Sequence, residues 1–365
     1  MKKLVITLML ITCCGLSKSA VAETSFNNQQ CQQDFNFIAD FLLKNDAGIN
    51  ADQWTEYPEK VNKILKIQQS KITQVHSVHD CIEIIKPFLR TIRKGHLSAS
   101  DKSVFHDFHI QPDLTSDKKL IETQQLSDLT TYIKVTSFRE GIKEQLESVI
   151  YNNQDNIRSS PYIIIDIREG DGGNDTNYYP LLQLLGQYKY WLKTPKIFST
   201  PENIKAWAIY KTLLNISANN KRIDEIIAKM QANLWSWVSL FNADEVKQTI
   251  SQQEALAQPK RVMILTGSEC GSSCEQFILT VRQNPKVITM GQNTYGAIAA
   301  SNILEKLTPS NKIYLAYTAT YTNLGIKDVD RLGIPPQIKL AKPLDKPAYD
   351  HEVSLAQRIL ENLQQ

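Results

Sequence analysis

The sequence predicts an α/β protein in which a small N-terminal helical bundle precedes an α/β core that carries a helical insertion. Three patterns lead there. Apolar residues recur at three- and four-residue spacing from Asn27 to about Arg93, which puts an apolar stripe on each of several helices. Short runs such as Tyr162-Ile-Ile-Ile-Asp-Ile167 and Arg261-Val-Met-Ile-Leu-Thr266 are nearly continuously apolar, as strands covered on both faces must be. Residues 178–257 read mostly as helix and include Trp207, Trp235 and Trp237.

At the N-terminus, Met1-Lys2-Lys3 precedes the apolar run Leu4 to Leu16 and the small-residue site Ala20-Val21-Ala22. That order is a secretory signal peptide, residues 1–22, and its apolar run is short for a membrane-spanning helix. Thr12 stands before Cys13, which argues against a lipoprotein site. The mature chain is therefore expected in the periplasm or secreted, without stable membrane insertion. Residues 23–95 form the expected bundle, with stripes at Phe35, Ile38 and Leu42, at Val61 and Leu65, and at Ile82, Ile85 and Leu89.

Residues 96–345 form the expected core, 178–257 its insertion or lid, and 346–365 a C-terminal helix. Within the core, Thr131–Thr136 reads as a strand, Gly141 to Ile150 as a helix and Tyr162–Ile167 as a strand, the order of a parallel crossover. Further strands are expected at Arg261–Thr266, Val287–Met290 and Lys312–Tyr317, with a helix opening at Glu275.

Composition excludes some functions. With 22% charged residues, 42% apolar residues and a net charge of +3, the chain lacks the basic, aromatic-interleaved tract of a nucleic-acid binder. The glycine-rich Arg168-Glu-Gly-Asp-Gly-Gly173 lacks the Lys-Ser/Thr of a phosphate loop and any dinucleotide fingerprint, so no cofactor is expected. Beyond the signal, Cys31, Cys81, Cys270 and Cys274 remain. An even number in an oxidising compartment favours disulfides, by local pairing Cys31 with Cys81 and Cys270 with Cys274. The alternative for the second pair is two unbonded small residues packing a tight turn. No histidine sits at ligand spacing from either pair, so no metal is expected.

Cys270-Gly271-Ser272-Ser273-Cys274-Glu275 follows one apolar strand and opens an amphipathic helix. There, bare N–H groups and the helix dipole can stabilise an oxyanion beside a nucleophile. A serine nucleophile needs a base, and His76, His79, His96, His106, His109 and His351 are the candidates. His96 lies in the loop that ends the helical block, and spacing alone does not single it out.

Four segments together resemble the tail-specific, or C-terminal processing, serine peptidases and relatives with a tricorn-type core. They are Gly95-His96 after the bundle; Thr131-Tyr-Ile-Lys-Val-Thr-Ser-Phe138; Ile165-Asp166-Ile-Arg168 with Gly172-Gly173; and Ser272-Ser-Cys-Glu275 with Thr294-Tyr-Gly296 and Gly333-Ile-Pro-Pro336. The resemblance implies a ClpP/crotonase-type catalytic core with Ser272 as nucleophile. The branch with a lysine base would carry it at Ala297, so the implied base is His96, with Asp330 as the orienting acid and Asp328 close by. Gly172 or Gly173 and Ser273 would supply the oxyanion N–H groups. Gly95 replaces a serine and Gln337 an aspartate found in such relatives. Only about 34 residues separate His96 from the strand at Thr131, too few for the PDZ domain many of them carry. Two functions follow: a Ser-His-Asp endopeptidase acting on extended or unfolded polypeptide, or a non-catalytic binder of peptides or small apolar ligands. Trp235 and Trp237 are expected to pack the core.

Overall fold

The computed structural model describes residues 26–51, 57–103, 120–214 and 217–362. The expected signal peptide, His106 and His109 lie outside the described residues. In chain order the strands are β1 (Ser98–Asp101), β2 (Ile121–Ser127), β3 (Thr130–Val135), β4 (Tyr162–Asp166), β5 (Tyr188–Lys193), β6 (Lys196–Phe198), β7 (Trp237–Ser239), β8 (Glu245–Ile250), β9 (Arg261–Thr266), β10 (Val287–Gly291), β11 (Ala300–Leu307), β12 (Ile313–Tyr321) and β13 (Ile338–Lys339).

The central sheet runs β13-β10-β9-β4-β3-β2 and is parallel from β13 to β3, with β2 antiparallel at its edge. Strand periodicity sends Ile163 and Ile165 of β4 to one face and Tyr162 and Ile164 to the other. The first face is covered by helices Ile142–Asn152 and Ser273–Val281 through Leu146, Phe277 and Ile278. The second is covered by helix Lys346–Asn362 through Ala356 and Leu360. Coverage on both sides is why these strands carry uninterrupted Ile, Val and Met.

A second core joins the N-terminal helices Asn28–Asn45, Tyr57–Gln69 and Val78–Ile92 to the sheet β1-β12-β6-β7, with β11 also paired to β12. Phe35 and Phe88 meet edge-to-face at 5.3 Å, and Cys31 is bonded to Cys81 with Cα atoms 5.6 Å apart. Tyr317 and Leu315 of β12 and Ile223 and Met230 of the insertion belong to the same apolar cluster. The bundle that the sequence marks off at residue 95 is thus one wall of a larger core.

The 178–257 insertion has the expected helices, but it also contains strands. It holds helices Tyr179–Gln183, Pro201–Leu214 and Ser217–Ala232 together with β5, β6, β7 and β8. Tyr188-Lys-Tyr-Trp-Leu-Lys193 and Glu245-Val-Lys-Gln-Thr-Ile250 alternate with period two and pair antiparallel, a signal hidden by the surrounding helical stretches. Trp207 is buried and Trp237 is half-buried, but Trp235, in a turn at φ +61°, is 59% exposed and does not pack the core.

Candidate active site

The end of β9 leads through Gly267–Gly271 into Ser272, the residue before helix Ser273–Val281. Ser272 has φ +55° and ψ −121°. A non-glycine residue held there costs about 1–3 kcal/mol and persists only when its surroundings over-determine it. They do so here. Cys270 and Cys274 are bonded, both fully buried, with Cα atoms 5.4 Å apart, so a covalent loop closes around the serine. The alternative of two unbonded packing cysteines does not hold. Glu275 accepts the Ser272 N–H at 3.1 Å, the Thr294 hydroxyl at 2.5 Å, and the N–H groups of Gly296 and Ala297 at 2.9 and 2.7 Å. Burial nevertheless pushes its carboxyl up to about 7, against the lowering effect of those bonds.

The glycine-rich turn after β4 packs directly on this serine. Gly172 has φ +89°, and a Cβ on it would lie 2.8 Å from the Gly271 carbonyl oxygen and 3.0 Å from Ser272 Cβ. Gly173, at φ +139°, would place a Cβ 2.0 Å from the Phe138 oxygen. Both positions therefore require glycine. Ser273 Oγ donates to the Gly173 carbonyl at 2.9 Å and ties the two turns together. Among the described residues, the N–H groups of Gly172, Gly173 and Ser273 donate to no protein acceptor. Behind this turn, Arg168 bridges Asp166 and Glu352 at 2.6 and 2.7 Å and lies 3.3 Å from the Tyr349 ring centroid, so the C-terminal helix braces the strand end.

His96 comes from the other core, also with positive φ, +56°. Asparagine and aspartate account for three of the six such non-glycine residues among those described; the others are His96, Ser272 and Trp235. Arg93 holds this loop. Its guanidinium, 1% exposed, forms a bidentate pair with buried Asp46 at 2.6 and 2.7 Å and donates to the Gly95 and His96 carbonyls at 3.1 and 3.2 Å. The imidazole Nδ1 lies 2.7 Å from the Ala300 carbonyl oxygen. Burial holds the imidazole below the usual histidine range, partly offset by that hydrogen bond and by the charge of Asp330. It is thus kept neutral, as a general base must be.

Asp330 is buried, and its carboxylate accepts the N–H groups of Ile298, Ala299 and Ala300 at 2.7–2.8 Å. It thereby holds the N–H of Ala300, the residue whose carbonyl meets His96. Asp328, with φ +52°, precedes the short helix Val329–Leu332. Tyr295 spans the two halves of the site. Its N–H donates to the Cys270 carbonyl at 2.8 Å, its hydroxyl donates to the Lys94 carbonyl at 3.1 Å, and its ring lies against Gly271 and Gly95. A Cβ on Gly95 would lie 2.2 Å from Ala297 Cβ, so the contact between these two residues leaves no room for a serine at 95. No hydrogen bond joins Ser272 Oγ to His96 among the described residues. His76, His79 and His351 are exposed and belong to other surfaces.

The model of peptidase family S41 matches residues 130–340, more than half of the chain. The chain belongs to peptidase family S41. Its fold is similar to that of a Parabacteroides merdae protein described as a candidate peptidase, with a TM-score of 0.55 and 13% identity over 86% of this chain and 90% of that one. It is also similar to mature CPAF complexed with lactacystin, with a TM-score of 0.57 and 11% identity over 86% and 94% of the two chains. At these identities the likeness is one of fold. No curated protein matches the chain. The sequence carries no signal that Arg93, Asp46 or the Ala300 carbonyl belongs to the site, whereas Tyr295 falls within the Thr294-Tyr-Gly296 element and Glu275 opens the expected helix.

Proposed function

We propose that this S41 chain is an exported serine endopeptidase that hydrolyses extended or unfolded polypeptide. The observation that carries the reading is convergence. Ser272 and His96 come from different cores, each at a positive φ, and both are tied to the single segment Tyr295–Ala300, the serine through Glu275 and the histidine through the Ala300 carbonyl. Donation of the Nδ1 proton to the Ala300 carbonyl leaves Nε2 unprotonated, and this nitrogen takes the Ser272 proton as Oγ attacks a peptide carbonyl. The N–H groups of Ser273 and of Gly172 or Gly173 receive the developing oxyanion. Loss of one such donor typically lowers turnover by about a hundredfold or more. Asp330 stabilises the imidazolium by its nearby charge and fixes the Ala300 residue by its N–H, rather than gripping the ring. His96 then returns the proton to the leaving amine, and water hydrolyses the acyl-enzyme.

Export is supported by the two disulfides, which persist in oxidising compartments. None of the described helices is long and apolar enough to cross a membrane. A non-catalytic binding protein is the competing reading, favoured by the missing Ser272–His96 hydrogen bond; such contacts often tighten only with substrate. A fluorophosphonate probe decides. The native protein should label, and Ser272→Ala and His96→Ala should not. Absence of labelling in the native protein removes the peptidase reading, and unchanged labelling of His96→Ala reassigns the base.

A further inference from the structure

A cleft of about 480 Å³ opens between the insertion and the segment that follows β12. Trp237, Tyr321 and Leu324 give it an apolar wall; Lys193, Lys196 and Asp244 stand at its mouth. It adjoins the candidate active site through one hairpin. Tyr321 pairs with Ala300 across β11 and β12, and the Thr322 N–H donates to the Ala299 carbonyl at 2.8 Å. Ala300 is the residue whose carbonyl meets His96 and whose N–H meets Asp330. The Tyr321 phenol, pushed up to about 12 by burial and then by the charge of Asp330, is electrostatically part of that neighbourhood.

The walls define the chemistry of an occupant. Trp237 lies 6.4 Å from Tyr321 and 5.2 Å from Phe198 between ring centroids, and both Trp237 and Tyr321 are half-buried, so part of each ring faces the cleft they line. The rim alternates in charge: Lys193 pairs with Glu245, and Lys196 pairs with Asp244 at 3.7 Å, each lysine about half exposed. A rim of both signs suits peptide groups, which donate and accept, and is unfavourable for a long aliphatic tail lacking both functions. The volume falls in the range of small-ligand pockets and has room for one large side chain with its flanking backbone.

We propose that this cleft is a substrate subsite that takes one aromatic or long aliphatic side chain of an extended polypeptide, away from the scissile bond. The proposal rests on the peptidase reading for the identity of its occupant, but its test does not need turnover. The insertion then has a role in specificity, supplying Lys193, Lys196, Trp237 and Asp244 to a cleft whose other wall follows β12.

Ser272→Ala protein is titrated calorimetrically with two unstructured peptides that differ only in one phenylalanine or alanine. Burial of the ring contributes about 1.5–3 kcal/mol, so the phenylalanine peptide should bind at least about tenfold tighter. Adding Leu324→Asp should abolish the preference, and adding Trp237→Phe should retain most of it, with thermal melts confirming that each variant is folded. Equal binding of the two peptides, or a preference that survives Leu324→Asp in folded protein, overturns the proposal. If the native protein fails to label with fluorophosphonate yet shows this preference, the subsite stands and the catalytic reading falls.

Discussion

Ser272 and His96 share a positive φ, near +55°, but they are held in it by opposite means. The restraints on the serine are mostly local: a disulfide from two residues before it to two after, a helix beginning at the next residue, and a glutamate three positions on. Those on the histidine are remote. Arg93 is anchored by Asp46, 47 positions away, and the imidazole is set by Ala300, 204 positions away. One half of the site can be shaped by its own turn, while the other exists only after two cores have docked. Destabilising the second core should therefore displace the proposed base His96 and leave the turn of the proposed nucleophile Ser272 intact.

The largest effect should come from Arg93→Met, which strands the Asp46 carboxylate in the second core. Breaking a buried pair from one side costs about 3–5 kcal/mol, whereas Asp46→Asn with Arg93→Met should lose much less. Urea melts of the single and double variants measure this, and equal destabilisation would mean that the pair does not anchor the histidine loop.

The two disulfides separate the same halves at smaller amplitude. Cys31–Cys81 spans 50 positions and Cys270–Cys274 spans 4. On the chain-entropy model the first contributes about 4 kcal/mol and the second about 2. Alanine at Cys31 and Cys81 should thus lower the melting temperature more, with kcat of the surviving folded protein preserved. Alanine at Cys270 and Cys274 should lower kcat about tenfold with little change in KM, since about 1.4 kcal/mol of lost alignment is enough. If both pairs changed stability alone, the bridge around Ser272 would be only a staple.

Glu275 gives a pH signature confined to the serine half. Its carboxyl titrates near 7 in the native state against an ordinary 4.5, so the native state holds the proton more tightly. That contribution to stability is fully present below about pH 4.5 and is lost as pH rises through about 7. Glu275→Gln should flatten this decline in denaturant melts measured against pH. It should also cost about 1–3 kcal/mol, because an amide N–H₂ would face backbone donors. The smallest expected effect is that of Tyr295→Phe, which loses one hydrogen bond to the Lys94 carbonyl, worth about 1 kcal/mol, and should lower kcat severalfold at unchanged KM.

Much of the serine half was legible from residue order. The strand Arg261–Thr266, the small-residue turn, the helix after it and the flanking cysteines depend on neighbours a few positions apart, and the structure contains all four. The crossover from Thr131 to Ile167 was legible for the same reason, since buried parallel strands write themselves as apolar runs. The strands inside 178–257 were not, because short period-two segments between helices give a weak signal. Trp235 was misread because composition does not reveal which way a turn points.

The sequence by itself determined the α/β class, the helical stripes at the N-terminus and the form of the turn at Ser272, and it favoured the two local cysteine pairings that the structure contains. Tertiary structure alone decided that Asp330 would meet three backbone N–H groups, that a carbonyl would meet His96, and that the insertion would wall a cleft beside them. The physical reason lies in range. Turns, caps and periodicities are settled among residues that are neighbours in any conformation, whereas a buried polar contact between distant segments exists only once packing has fixed the position of one core against the other.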